Sequence, residues 1–119
     1  MAQKEPVSYL RTHRKKSGLT QRELAHLLGY ESKSPVSRHE SAAVVPTLSM
    51  ALAYEAIFQV PVSELFPDLY RTVEQNVGAR LATMEVGLQE KSTKGRDARA
   101  IAQKLEWAWA RRNGIEIWT

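Results

Sequence analysis

Arg38, Ser37, Ser34 and Lys33 fall at the start and along one side of a short segment, SPVSRHE, that reads as a helix of about two turns. Hydrogen-bonding side chains so placed suit the edges of nucleic-acid bases. Arg38 is the strongest of the four, because its planar fork can bond O6 and N7 of one guanine together, worth about 1 to 3 kcal/mol of discrimination; a phosphate contact is its competing use. Ser34 is first a helix cap and only second a ligand. Gln21 opens the preceding helix, where an amide can donate to a phosphate that the helix dipole also favours. Arg22, Lys15, Lys16 and Arg11 are further phosphate candidates, with ordinary solvated charge as the bland alternative. No comparable grouping suits catalysis. His13, His26 and His39 lie on three different predicted helices without metal-ligand spacing, and there is no G-x-S-x-G elbow or glycine-rich phosphate loop. The expectation is a protein that is not an enzyme and holds no metal or cofactor.

The elements that must carry these side chains are marked at both ends. Thr20 and Glu23 form a capping box, in which each side chain satisfies a backbone N–H at the start of a helix. Leu24, Ala25, Leu27 and Leu28 follow at helical spacing, and Gly29 supplies a left-handed stop. After the turn YESK, Ser34 is a natural N-cap and Pro35 suits the first helical position, where its missing N–H costs nothing. Two short helices joined by a tight turn are a means of placing the second in the DNA major groove.

Upstream, a helix is predicted over about Val7 to Ser17, with Leu10 facing the core and Gly18 as its stop. Downstream, Thr47 caps a helix to about Phe58 whose apolar residues are Leu48, Ala51, Leu52, Ile57 and Phe58. A fifth helix spans about Val62 to Phe66, with Val60, Leu65 and Phe66 as core contacts, and Pro67 punctuates the end of the domain.

In Leu10, Arg14, Leu19, Thr20, Gln21, Glu23, Leu24, Ala25, Leu28, Gly29, Val36, Ser37, Glu40, Pro46, Leu48, Val60 and Leu65 the chain resembles the Cro and phage-repressor (XRE) helix-turn-helix family, over roughly residues 7–66. The resemblance implies an all-α, five-helix phage-repressor-like DNA-binding domain, with Val36 in the core. It also implies a phosphate contact for Gln21 and a largely buried structural ion pair between Arg14 and Glu40. Three features depart from the family. The turn between the second and third helices is one residue longer than the common form, which leaves the alignment of Lys33 and Ser34 with base-reading positions open by one. Ala42 stands where the family often has Gly, which leaves open whether the chain turns left-handed there. His39 replaces an aliphatic residue and Glu55 falls near the apolar face of the fourth helix; both are read as independent, outward-facing residues, with a buried polar pair as the alternative.

Charge is distributed in keeping with this. Residues 1–40 carry eight Lys/Arg against four Asp/Glu, residues 41–70 none against three, and residues 71–119 nine against six, so the basic excess lies over the first three helices and the tail. Solubilising charge explains it equally well. The 119 residues suffice for one domain with an appendage: residues 1–67 as the helix-turn-helix domain and 68–119 as a helical extension. With no cysteine there is no disulfide framework, and the N-terminus lacks a secretory apolar run. Ser41 to Ser63 is interrupted by Pro46 and Pro61 and is not a membrane span. A cytoplasmic, nucleoid-associated setting is expected, and the resemblance points to a bacterial or phage source.

In the extension, Leu69, Val73, Val77, Leu81, Met84 and Leu88 recur at steps of four or three, and after STKG the residues Ile101, Ala102, Leu105, Ala108 and Trp109 form a second stripe. Such stripes need a partner, either the domain itself or another chain. A homodimer is preferred, because two-fold operators reward it and C2 is the commonest oligomer symmetry. Trp118 lies outside either stripe, and three Trp in so short a tail hint at an interface. The leading expectation is a transcriptional regulator, a repressor before an activator, binding a double-stranded DNA operator. An antitoxin whose tail holds a toxin, and a protein-interaction adaptor on the same scaffold, are the alternatives.

Overall fold

A computed structural model describes residues 8–91 and 95–116. Over these the chain is all-helical: α1 Leu10–Lys16, α2 Gln21–Leu28, α3 Ser34–Glu40, α4 Leu48–Phe58, α5 Val62–Leu65, α6 Pro67–Glu90 and α7 Ala98–Arg112. Two compact units result, residues 1–72 and 73–119. Val7, expected to open the first helix, the STK of STKG, and Trp118 lie outside the described residues.

The first unit closes around Leu10, Leu24, Ala25, Leu28, Val36, Tyr54, Leu65 and Phe66, with Met50, Ala53, Ile57, Phe58 and Val60 packed against them. Leu10, Val36 and Leu65 are fully buried, as the apolar spacing requires. Leu27 is not: it is exposed. At about 100° per residue Leu24, Ala25 and Leu28 share one arc of α2, and Leu27 falls about 60° outside it. Leu48 and Leu52 are likewise exposed, while Tyr54 is fully buried. Apolar residues surround α4 on every side, so periodicity gives it no phase, and packing against α1, α2 and α5 chooses the face that carries Tyr54.

Backbone closures set the helix ends. The Thr20 hydroxyl accepts from the Glu23 N–H at 3.0 Å, and the Glu23 carboxylate accepts from the Thr20 N–H at 2.9 Å. Hydrogen bonding to Thr20, its backbone first, lowers the Glu23 pKa. Gly29, at φ +87°, ends α2 in a paired closure: its N–H donates to His26 O and that of Tyr30 to Ala25 O. α3 ends the same way without a glycine. Ala42 takes φ +63°, its N–H donating to His39 O and that of Ala43 to Arg38 O. The left-handed turn therefore exists, with a Cβ in it.

Pro67 stands between α5 and the long helix of the extension and begins that helix, α6, since a residue without an N–H fits a first turn. Two other expectations change. Lys33, not Ser34, occupies the N-cap of α3, and no side-chain cap is seen there among the described residues. His39 is buried, its Nδ1 2.8 Å from the Tyr54 hydroxyl, and Glu55, half-buried, accepts from the Val62 N–H at 2.8 Å and so caps α5. They neither face outward nor pair with each other.

In the second unit Leu81 and Leu88 are buried on α6, and Ile101, Ala108 and Ala110 on α7. Glu85 is also buried, and Arg112 Nη1 donates to both its oxygens at 2.7 Å. Of the two expected stripes, Val73, Val77, Met84 and Trp109 are each about half exposed and Ala102 is exposed, so the stripes are only partly covered. Leucines and valines four apart advance about 40° around the helix at each step, so the series from Leu69 to Leu81 winds away from a single face.

Candidate nucleic-acid interface

α3 has one face inside and one face outside. Val36 and His39, three apart, are buried, and Ser34, Ser37 and Arg38, at i, i+3 and i+4, share the exposed side. Lys33 is exposed at its start. Because Lys33 stands at the cap position, the Ser34 hydroxyl is not used there. The backbone carbonyl of Arg38 accepts from the Ser41 hydroxyl and from the N–H groups of Ala43 and Val44, and its side chain has no hydrogen bond or ion pair among the described residues.

The inner face is held by charge as well as by packing. Arg14 on α1 grips Glu40 at the end of α3, with Nε 2.6 Å from Oε2 and Nη2 3.2 Å from Oε1, and its Nη1 donates to Leu19 O at 3.0 Å. Both side chains are nearly excluded from solvent, at 12% and 5% exposure. The hydrogen bond to Glu40, assisted by its charge, raises the Arg14 pKa against the opposing effect of burial. Gln21 joins them, donating from Nε2 to Glu40 Oε1 at 3.0 Å. Three helices thus meet in one bidentate, charge-assisted network that fixes how α3 leaves α1 and α2.

His39 and Tyr54 make a second tie, from α3 to α4. Their rings meet edge to face with centroids 5.7 Å apart, and Tyr30 flanks His39 at 6.3 Å. Burial lowers the His39 pKa, and burial with the nearby Tyr30 and Glu40 raises that of Tyr54, so both are neutral near pH 7.

Beside the start of α2 lies a shallow open depression lined by Arg14, Leu19, Thr20, Gln21, Arg22 and Lys33. It brings together Gln21 and Arg22, read as phosphate ligands, and Lys33, read as a base contact. Lys15 and Lys16 are exposed in the last turn of α1 and do not line it. Two features of the site are not set by local sequence spacing. The bond from Gln21 to Glu40 joins residues 19 apart, and the pairing of His39 with Tyr54 needs the packing of α4 to be known; only the replacement of an aliphatic residue by His39 hinted at it.

Among the described residues no group of His, Cys, Asp or Glu is arranged to hold a metal ion, and no helix is long and apolar enough to cross a membrane. No curated protein and no solved structure matches the chain. Residues 10–65, from the first residue of α1 to the last of α5, match the family described as Helix-turn-helix. The matched span holds the whole α3 face and the network behind it, and residues 10–65 accordingly form a Cro/C1-type (XRE) helix-turn-helix domain, as found in DNA-binding regulators.

Proposed function

We propose that this DNA-binding regulator is a sequence-specific transcriptional repressor that acts as a homodimer, one α3 helix per half-site of a two-fold operator, in the major groove. The observation that carries the reading is the division of α3: Ser34, Ser37 and Arg38 are exposed together while Val36, His39 and the Arg14–Glu40 pair anchor the opposite side. Direct readout needs such a face on a rigid mount. The depression around Gln21, Arg22 and Lys33 gives a backbone phosphate a place beside it, so the phosphate contacts set register while α3 reads bases. Repression then follows from occupancy, since a bound dimer excludes other proteins from the same DNA.

Dimerisation is supported by the second unit, where Val73, Val77, Met84 and Trp109 stay about half exposed. The same residues favour one further reading, a tail that holds a different protein, as an antitoxin holds its toxin. Selection from a random duplex library at roughly 0.15 M salt, where non-specific binding is already weakened, tests the main reading. A palindromic consensus with half-site centres about 34 Å apart is expected. A monomeric chain that enriches no duplex and co-purifies with one protein contradicts it.

A further inference from the structure

The first unit contains a pocket of about 260 Å³ bounded by three stretches of chain: Ser8 ahead of α1, the segment from His39 through Ala42 to Val45 that ends α3, and the stretch from Phe66, just before α6, to Leu69 in its first turn. Its walls are mainly apolar. Ser8 lines it as well, and its hydroxyl is buried and has no hydrogen-bond partner among the described residues. Ser8 is held there because the adjacent Tyr9 N–H donates to Leu65 O at 2.8 Å. A buried hydroxyl without a partner costs about 1 to 3 kcal/mol and is uncommon in a folded protein. An apolar concavity with a few convergent polar groups is the ordinary form of a small-molecule site, and its walls suit a mostly apolar occupant better than water alone. The apolar walls make burial of a charged group costly; Asp68, which also lines the pocket, is paired with Arg71 at 3.5 Å.

We infer that this pocket binds a compact, uncharged, largely apolar molecule carrying one hydroxyl, carbonyl or N–H group that pairs with Ser8, and that its occupancy reports to the recognition helix. His39 lies in the last turn of α3 and Ala42 is the left-handed residue that terminates it, so an occupant touches the closure that orients Arg38. A molecule that fits one setting of that closure better than another shifts the population between them. The coupling rests on the DNA-reading role of α3; the binding site does not.

The test uses the full chain, labelled with ¹⁵N, titrated with benzyl alcohol, cyclohexanol and indole as probes and benzoate as the charged comparison. Saturable amide shifts are expected at Ser8, His39, Ala42, Val45 and Leu69, with benzoate binding more weakly than benzyl alcohol. Ser8→Ala should weaken the best probe about three- to tenfold, and Leu69→Trp, at a partly exposed position, should abolish its binding. Val45→Trp provides a second filled pocket should Leu69→Trp fail to fold. Absence of saturable shifts with every probe overturns the site, as do shifts that survive both folded Trp variants. So do apo contacts from residues 1–7 that already fill the pocket, or apo shifts on dilution that assign it to a second copy. A probe that saturates the pocket but leaves duplex affinity unchanged overturns the coupling alone. Probe binding by a chain that binds no duplex supports the site and contradicts the DNA-reading role.

Discussion

Glu40 is the residue on which the placement of α3 depends, because it is the common acceptor for Arg14 and Gln21. Glu40→Ala leaves a nearly buried guanidinium without its carboxylate, a change that costs about 3 to 5 kcal/mol. Its urea midpoint should fall accordingly and duplex binding should be lost; unchanged stability with retained binding would show that the pair does not position α3. His39 makes a prediction in pH. Its folded-state pKa lies below the unfolded value of 6.5, so the folded chain binds the proton less readily. The stability contributed by neutral His39 is full above that value and is lost as pH falls through it toward the folded pKa. Melting temperature should therefore drop between pH 7.5 and 5, above the range where carboxylates titrate, and the drop should shrink in His39→Leu/Tyr54→Phe, which removes both members of the bond. The Arg14–Glu40 pairing was legible because the family pattern places both residues. The His39–Tyr54 pairing was not, since an imidazole shows whether it is buried only when its partner on α4 is in place.

At the level of elements, the helix ends were the most legible feature. Thr20 with Glu23, Gly29 and Thr47 act through neighbours within a few residues, so short-range spacing contains nearly all the information. Faces were less legible. α4 is apolar all round and the α6 repeat drifts about its axis, and in both cases tertiary packing selects Tyr54, Leu81 and Leu88 from among equivalent apolar candidates. Ala42 lies between these cases, because the terminating geometry of α3 requires a left-handed residue that the sequence does not supply in its preferred form. Ala42→Gly should raise stability by about 1 kcal/mol, the relief of a Cβ in that conformation less the added freedom of the unfolded chain. A urea midpoint that stays level or falls would mean that the closure is not strained. Thr20→Ala should cost about 1 kcal/mol through loss of the cap, measured in the same way.

For the whole molecule, an N-terminal unit that presents α3 is joined to a C-terminal unit whose apolar side chains are not all covered. Val77→Arg/Met84→Arg should reduce the solution mass from twice 13.5 kDa to that of one chain, read by light scattering, and weaken operator binding while leaving the fold of the first unit intact. A wild-type chain already at 13.5 kDa would contradict the dimer. The existence of two helical parts could be read from apolar spacing and from Pro67, which opens α6; the compact units divide after Thr72, within that helix. The most direct test of the central claim is to repeat the duplex selection with Arg38→Ala. If α3 reads bases from the major groove, the consensus relaxes at one base pair in each half-site, with about 1 to 3 kcal/mol of discrimination lost there, and the other positions are kept. A consensus and affinity identical to those of the wild type would contradict the assignment of the α3 face as the reading surface.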